Sequence, residues 1–202
     1  GESGTYYAFG GVLASFVSGK SDCKVTALTS GGSQANVEDL TNGNVQLAFV
    51  QSDVMNYAYN GQRLFDSPVT GCSVVAQLYQ EQVQIVTTNP DIKTVADLAG
   101  KKVSIGAAGS GVYFNAIDVL SAYDLKESDI SAVYQSFGDS AESLKDGKID
   151  AAFIVAGAPT TAITDLATAG SVYLVSLDDS HVQSLLSASP YYTAATIKAG
   201  TY

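Results

Sequence analysis

The chain repeats itself. Ser3-Gly4-Thr5-Tyr6-Tyr7, followed by Val12-Leu13, returns as Ser110-Gly111-Val112-Tyr113-Phe114, followed by Val119-Leu120, at a constant offset of 107 residues. A second pair follows in the same order at an offset of 104, Leu40 to Val50 against Leu144 to Ile154. Glycine turns before apolar runs are common one at a time. Two matches in order, at nearly equal offsets, point to a duplicated unit, and a duplicated unit must build the same small layered structure twice.

Each copy has the same local grammar. A Ser-Gly-x-Tyr-aromatic turn feeds a helix with apolar residues at helical spacing: Phe9, Val12, Leu13 and Phe16 in one copy, Phe114, Ile117 and Leu120 in the other. A short strand is expected next, at Val25 to Leu28 and at Ala132 to Tyr134. A second helix then closes on Asn42-Gly43 or Asp146-Gly147, where glycine takes the left-handed cap position. The runs Val45 to Val50 and Ile149 to Ile154 are apolar and bounded by turns, as parallel strands covered on both faces should be. The fold class predicted is α/β, in two lobes, with parallel sheets and helices on both faces.

Between the copies, Val74 to Tyr79 and Val83 to Thr88 read as strands, separated by a polar Gln80-Glu81-Gln82 turn. Asn89-Pro90-Asp91 breaks the run, and Thr94 caps a short helix ending at Gly100. The first lobe is therefore placed at residues 1–88 and the second at 89–190, with the crossing near 87–93. After Ile154 a helix is expected from Pro159 to about Ala169, a strand at Val172 to Val175, and a helix from Asp178 to about Ser187. Tyr191 to Ile197 reads as a strand crossing back, so that residues 191–202 return to the first lobe.

Charge excludes some partners. The formal net charge is −10, Arg63 is the single arginine, and the lysines are scattered. Such a chain repels phosphate backbones and anionic lipid, so no nucleic-acid partner is expected. No apolar run approaches the ~18–20 residues of a membrane span. No leader opens the chain either, since Gly1-Glu2-Ser3-Gly4 is already loop-like. Cys23 and Cys72 permit one disulfide, which suits an oxidising compartment, but two free thiols fit the count equally well.

Catalytic and metal motifs are missing. The one histidine, His181, lies in a polar helix, and there is no HExxH, CxxC or Gly-x-Ser-x-Gly pattern. Asp178-Asp179 and Glu38-Asp39 sit on polar helical positions and read as solvated faces. Neither an enzyme nor a bound cofactor or metal is expected.

A binding site is better supported. Ligands of open parallel α/β sheets lie beyond the carboxyl ends of the strands. The loops there are Thr29-Ser30-Gly31-Gly32-Ser33, Gly106-Ala107-Ala108-Gly109-Ser110-Gly111 and Ala156-Gly157-Ala158-Pro159-Thr160-Thr161, each entering a helix. Bare N–H groups at a helix start attract anions, and glycine permits close approach. Gly106-x-x-Gly109-x-Gly111 matches neither the dinucleotide nor the phosphate-loop pattern, so no nucleotide is expected. Tyr6, Tyr7, Tyr113 and Phe114 stand at equivalent helix starts, where they flank a ligand or staple the helix to its lobe. Asp53 has two readings: a partner for a ligand ammonium, or a cap for a helix over Val54 to Tyr59.

Taken together the motifs resemble the TAXI family of solute receptors that serve tripartite TRAP transporters. The resemblance is carried by Gly4-Thr5-Tyr6-Tyr7-Ala8-Phe9-Gly10-Gly11, Ser30-Gly31-Gly32-Ser33, Leu47 to Asp53, Leu78-Tyr79-x-Glu81, Val95 to Gly106, Gly109-Ser110-Gly111, Asp146 to Phe153, Ala156 to Thr160, and Ala199-Gly200-Thr201-Tyr202. It implies a type II periplasmic-binding fold, with lobes joined by crossing strands. It also implies an extracytoplasmic, periplasmic and monomeric receptor that hands a small carboxylate to the membrane permease subunits of a TRAP transporter. Glutamate, glutamine or a dicarboxylate lead as ligands.

The contact residues it implies are Ser3, Gly4, Thr5, Tyr6 and Tyr7; Ser30, Gly31, Gly32 and Ser33; Gln51 and Asp53; Ser110, Gly111, Val112 and Tyr113; and Ala156, Gly157, Ala158, Pro159 and Thr160. Two departures stand out: the family has a strand before the opening turn and roughly a further third of chain after Gly-Thr-Tyr. The alternative reading is a ligand-sensing module with this fold, fused to a signalling domain.

Overall fold

Strand pairing separates the two copies. In the computed structural model, which describes residues 1–202, Lys102–Ser104 (β2) lies between Ser131–Val133 (β3) and Ala151–Ala156 (β4) and runs parallel to both. Gln82–Thr87 (β1) pairs with β4 along its whole length but antiparallel, Gln82 opposite Ala156 and Thr87 opposite Ala151. Tyr173–Leu174 (β5) pairs antiparallel with the far side of β1. The order is β3-β2-β4-β1-β5. The sheet is therefore mixed where a parallel one was expected, because β1 enters from the connecting stretch in the opposite sense. The chain has already joined this sheet at Gln82, ahead of the expected crossing at 87–93.

Every residue of β4 is buried. Its apolar run is satisfied on both faces, as the sequence requires. Ala151, Phe153 and Val155 point to one side, with Ile85 and Val103, under Val112–Ala122 (α4) and Leu185 of Asp179–Ala188 (α7). Ala152 and Ile154 point to the other, under Leu144 of Phe137–Lys145 (α5) and Ile163 and Leu166 of Thr161–Ala169 (α6). Each large apolar side chain buried this way contributes about 1.5–3 kcal/mol. A 3-10 turn at Val95–Leu98 is held by Thr94 and Asp97, which satisfy each other's end of the turn.

The first copy forms its helices, Thr5–Lys20 (α1), Ser33–Thr41 (α2) and Ser52–Asn60 (α3), without its sheet. Residues 25–28 and 45–50 form no strand and make no ladder, and neither do 74–79 or 191–197. Side chains satisfy a few of their backbone groups, Ser18 at Val25 and Asn36 at the Phe49 carbonyl, and no ladder satisfies the rest. In the second copy β2 fills that role for β3 and β4, and no strand within residues 1–202 stands in the equivalent place between 25–28 and 45–50. A small cluster of Val37, Val54, Tyr57, Ala58 and Phe65 packs instead around Phe114 of α4, joining the two lobes.

Cys23 is exposed beyond the end of α1, Cys72 is half-buried in the long excursion after α3, and both are free thiols. The bridge that the sequence left open is not formed. No helix is long and apolar enough to cross a membrane.

Candidate functional site

The glycine-rich loops of the two lobes meet. Gly32, with φ at +132°, lies so close to the α4 entry loop that a Cβ would stand 2.8 Å from the Ser110 Cα. A Cβ on Gly111 would land on the Gln51 side-chain amide. At Gly32 backbone approaches backbone across the lobes, whereas at Gly111 the space is taken by the Gln51 and Ser33 side chains. The Ala35 N–H of α2 donates to the Gly109 carbonyl at 3.0 Å.

On the other side of the junction the Gly157 N–H donates to the Thr5 hydroxyl at 3.1 Å. Gly138, at the start of α5, faces Ser3, and Gly4 faces the Phe137 ring. The starts of α1 and α2 are tied by Tyr6, whose hydroxyl lies 3.4 Å from the Ser33 Oγ. Five helix starts thus converge on one seam.

Their capping sets them apart. Helices α1, α2, α4 and α6 begin with no side-chain cap and no acidic residue in the first turn. Helices α5 and α7 are capped by Ser136 and Asp178, with Asp139 and Asp179 in their first turns. A helix start exposes N–H groups and about half a positive charge, which a cap or carboxylate ordinarily answers. Four starts at the seam lack that answer.

Behind them runs a hydrogen-bonded network. The Gln51 N–H donates to the Ser33 Oγ (3.1 Å), and its side-chain amide donates to Asn115 Oδ1 on α4 (2.7 Å). Asn115 donates to Asp53 at 2.9 Å and toward the Tyr192 hydroxyl at 2.8 Å, and Tyr192 donates to Asp118. Arg63 completes the chain through Asp118 at 2.5 Å. Asp53 also accepts the Val54 N–H at 2.8 Å. Burial pushes the Asp53 carboxyl above its ordinary pKa, opposed by the bonds from Val54 and Asn115. Asp53 is the second residue of α3, inside the helix rather than at its cap position, and its carboxylate accepts the N–H of its neighbour Val54.

A family model described as the NMT1-like family matches residues 1–202. The chain belongs to that family. Among solved structures it is similar to the alkanesulfonate-binding protein SsuA from Xanthomonas axonopodis pv. citri bound to MOPS, at 22% identity and a TM-score of 0.51, over 76% of this chain and 50% of that one. It is similar also to holo ArgBP from T. maritima, at 20% identity and a TM-score of 0.52, over 82% of this chain and 65% of that one. These likenesses show the two-lobed, periplasmic-binding-protein-like α/β fold. The chain spans half to about two thirds of the length of those proteins.

Several expected contacts point elsewhere. Tyr7 is exposed and faces outward with Val12 and Phe16. Tyr113 turns to Glu127 at 3.0 Å, stapling α4 to its own lobe, and Val112 is buried in that lobe's core. Pro159 is exposed and Ala156 is buried as the last residue of β4. Thr160 is engaged by Gln84 (2.9 Å) and by the Tyr202 hydroxyl (3.0 Å to its N–H). Ser30 accepts the Gly1 amino group at 2.7 Å. His181 stacks on Tyr123 at 3.6 Å and bonds Asp178 at 2.6 Å on the exposed end of α7, away from the seam.

Four residues of the seam escaped the sequence reading. Asn115 and Tyr192 are two, and the signal for Asn115 was a lone amide on the apolar face of a helix. Glu81 and Tyr79 are the others, in a stretch that read as a strand and polar turn. The Tyr6 hydroxyl donates to Glu81 Oε2 at 3.0 Å. Burial raises the Glu81 carboxyl to about 7, against the opposing bond from Tyr6. Burial likewise drives the Tyr6 phenol far above its ordinary range.

Proposed function

We propose that this protein is an extracytoplasmic solute-binding receptor of the kind that serves a TRAP-type transporter, and that it holds a small carboxylate between its lobes. Glutamate, glutamine and dicarboxylates lead. The reading is supported above all by the four uncapped, acid-free helix starts meeting at one seam. A carboxylate set among them would accept N–H bonds that the protein leaves open, and it would sit in a positive field made without lysine or arginine. The lobes would hinge about the connecting stretches, and the Gln51–Asn115, Asp53–Asn115 and Ala35–Gly109 bonds are among the contacts that closure would make and opening would break.

Calorimetric titration or a melting-shift screen tests the reading, with amino acids, dicarboxylates and MOPS as the panel. Binding of a carboxylate, weakened tenfold or more by Gly111→Ala, is the expected result. Silence toward the whole panel would sink it. Saturation by MOPS alone would move the ligand class from carboxylates to sulfonates.

A further inference from the structure

The seam has an unanswered carboxylate. Oε2 of Glu81 accepts the Tyr6 hydroxyl, and Oε1 takes no hydrogen bond from the protein. The ion pairs of the chain are Arg63–Asp118, Lys148–Asp146 and His181–Asp178, so neither Glu81 nor Asp53 has a cationic partner. Asp53 is already engaged by the Val54 N–H and by Asn115. Asp139 at the start of α5 is exposed, which leaves Glu81 as the half-buried carboxylate of the seam with open lone pairs.

Unpartnered hydroxyls mark the same place. The Tyr79 hydroxyl, its ring 6.4 Å from that of Tyr6, is buried beside Thr5 without a well-formed bond. Across the seam the Ser110 hydroxyl is also without a partner, in a residue only 5% exposed. Buried polar atoms in native proteins are nearly always paired, and a bound ligand is one reason for such exceptions. A half-buried carboxylate with no countercharge adds to that cost.

We infer that Glu81 receives the protonated amine of the ligand, so that the cleft selects amino-acid zwitterions over plain carboxylates. The inference rests on the reading of the seam as the ligand cleft. An ammonium carries three donors in a compact cation and no acceptor, which suits a site rich in oxygen and without lysine or arginine. The geometry suits a short zwitterion as well. The Tyr6 hydroxyl stands 3.0 Å from Glu81 and 3.4 Å from Ser33, the first residue of α2. One phenol therefore bridges the cation acceptor and a bare helix start, where the ligand carboxylate would lie. Facing Glu81 are Tyr6 from α1, Asp53 from α3 and Tyr79 from its own segment, with no basic group among them.

The experiment is titration calorimetry on the full chain with matched pairs: L-glutamate and glutarate, L-glutamine and glutaramate, L-alanine and propionate. At least one amino acid is expected to bind tenfold or more tighter than its deaminated partner. Glu81→Gln should lower the amino acid's affinity by about 10- to 100-fold, the range of a charge-assisted bond, and leave the deaminated partner within threefold. Equal affinities within every binding pair, or a preference that survives Glu81→Gln, overturn the inference and leave the receptor reading standing. Silence from all six overturns both.

Should Glu81→Gln fail to fold, the unmodified protein still decides. An ammonium on Glu81 forces it to ionise, so amino-acid binding at pH 6.5 should release protons, measured as a buffer-dependent heat. A deaminated partner that binds should release none. No difference between them overturns the inference.

Discussion

Val12 and Val119 hold the same place in the two copies of the repeated unit, yet the first is 72% exposed and the second 3%. Leu47 and Ala151, also equivalent, are 64% and 0% exposed. The apolar stripe on α1 is as clearly written as the one on α4, and it lies bare. Residues 102–104 form β2 and carry the second sheet, and no strand within residues 1–202 plays that part for the first copy. An apolar pattern states which face a helix would bury. A neighbour must supply the burial.

That contrast can be broken by experiment, beginning with the largest effect. Phe153→Ala removes a fully buried ring from β4, and about 3–5 kcal/mol of stability should go with it. The equivalent Phe49→Ala, at a half-buried ring beside Tyr6 and Phe9, should cost less than half as much. Equal losses by denaturant unfolding would mean that the first copy is as well packed as the second.

Asn115→Ala comes next. It leaves Asp53 buried without its amide donor and should cost on the order of 2–3 kcal/mol. Ala8 is the counterpart of Asn115 in the first copy and is exposed, so Ala8→Asn should change stability by no more than about 0.5 kcal/mol.

Glu81 gives the third test. Its folded pKa, about 7, lies above the ordinary 4.5, so the native state holds a proton that the unfolded chain has lost between those values. Its effect on stability is therefore most favourable below about pH 4.5, declines as pH rises to about 7, and is flat above. Wild type should be on the order of 2 kcal/mol less stable at pH 8 than at pH 5 through this group, and Glu81→Gln should remove that difference. Unfolding curves at the two pH values check it.

The smallest effect belongs to the bare face. Val12→Ser on α1 should leave the unfolding midpoint nearly unchanged, within about 0.5 kcal/mol, whereas Val119→Ser on α4 should shift it clearly. A large loss from Val12→Ser would show that α1 is covered in solution.

Much of this was legible in the residues. The repeat marked both helical units, and Asn42-Gly43 and Asp146-Gly147 each end a helix with glycine at positive φ. The glycine loops were read as helix entries, and three of them do meet at the seam. Residues 25–28 and 45–50 have strand composition but no ladder, because composition reports suitability for a sheet and pairing depends on a partner. The sense of β1 was also hidden, since an apolar run reads the same parallel or antiparallel. Glu81 was hidden for a related reason: between two glutamines it reads as a solvated turn, and its burial comes from Tyr6, 75 positions away in the chain.

The sequence alone determined the α/β class, the duplicated unit, and the small, hydroxyl-rich entries to helices, because turn chemistry and apolar periodicity act over a few residues. Tertiary structure alone decided which faces became core, which tips touched, and which carboxylate lost its water. Those outcomes depend on distances between residues far apart in the chain, and desolvation and close packing follow from such distances.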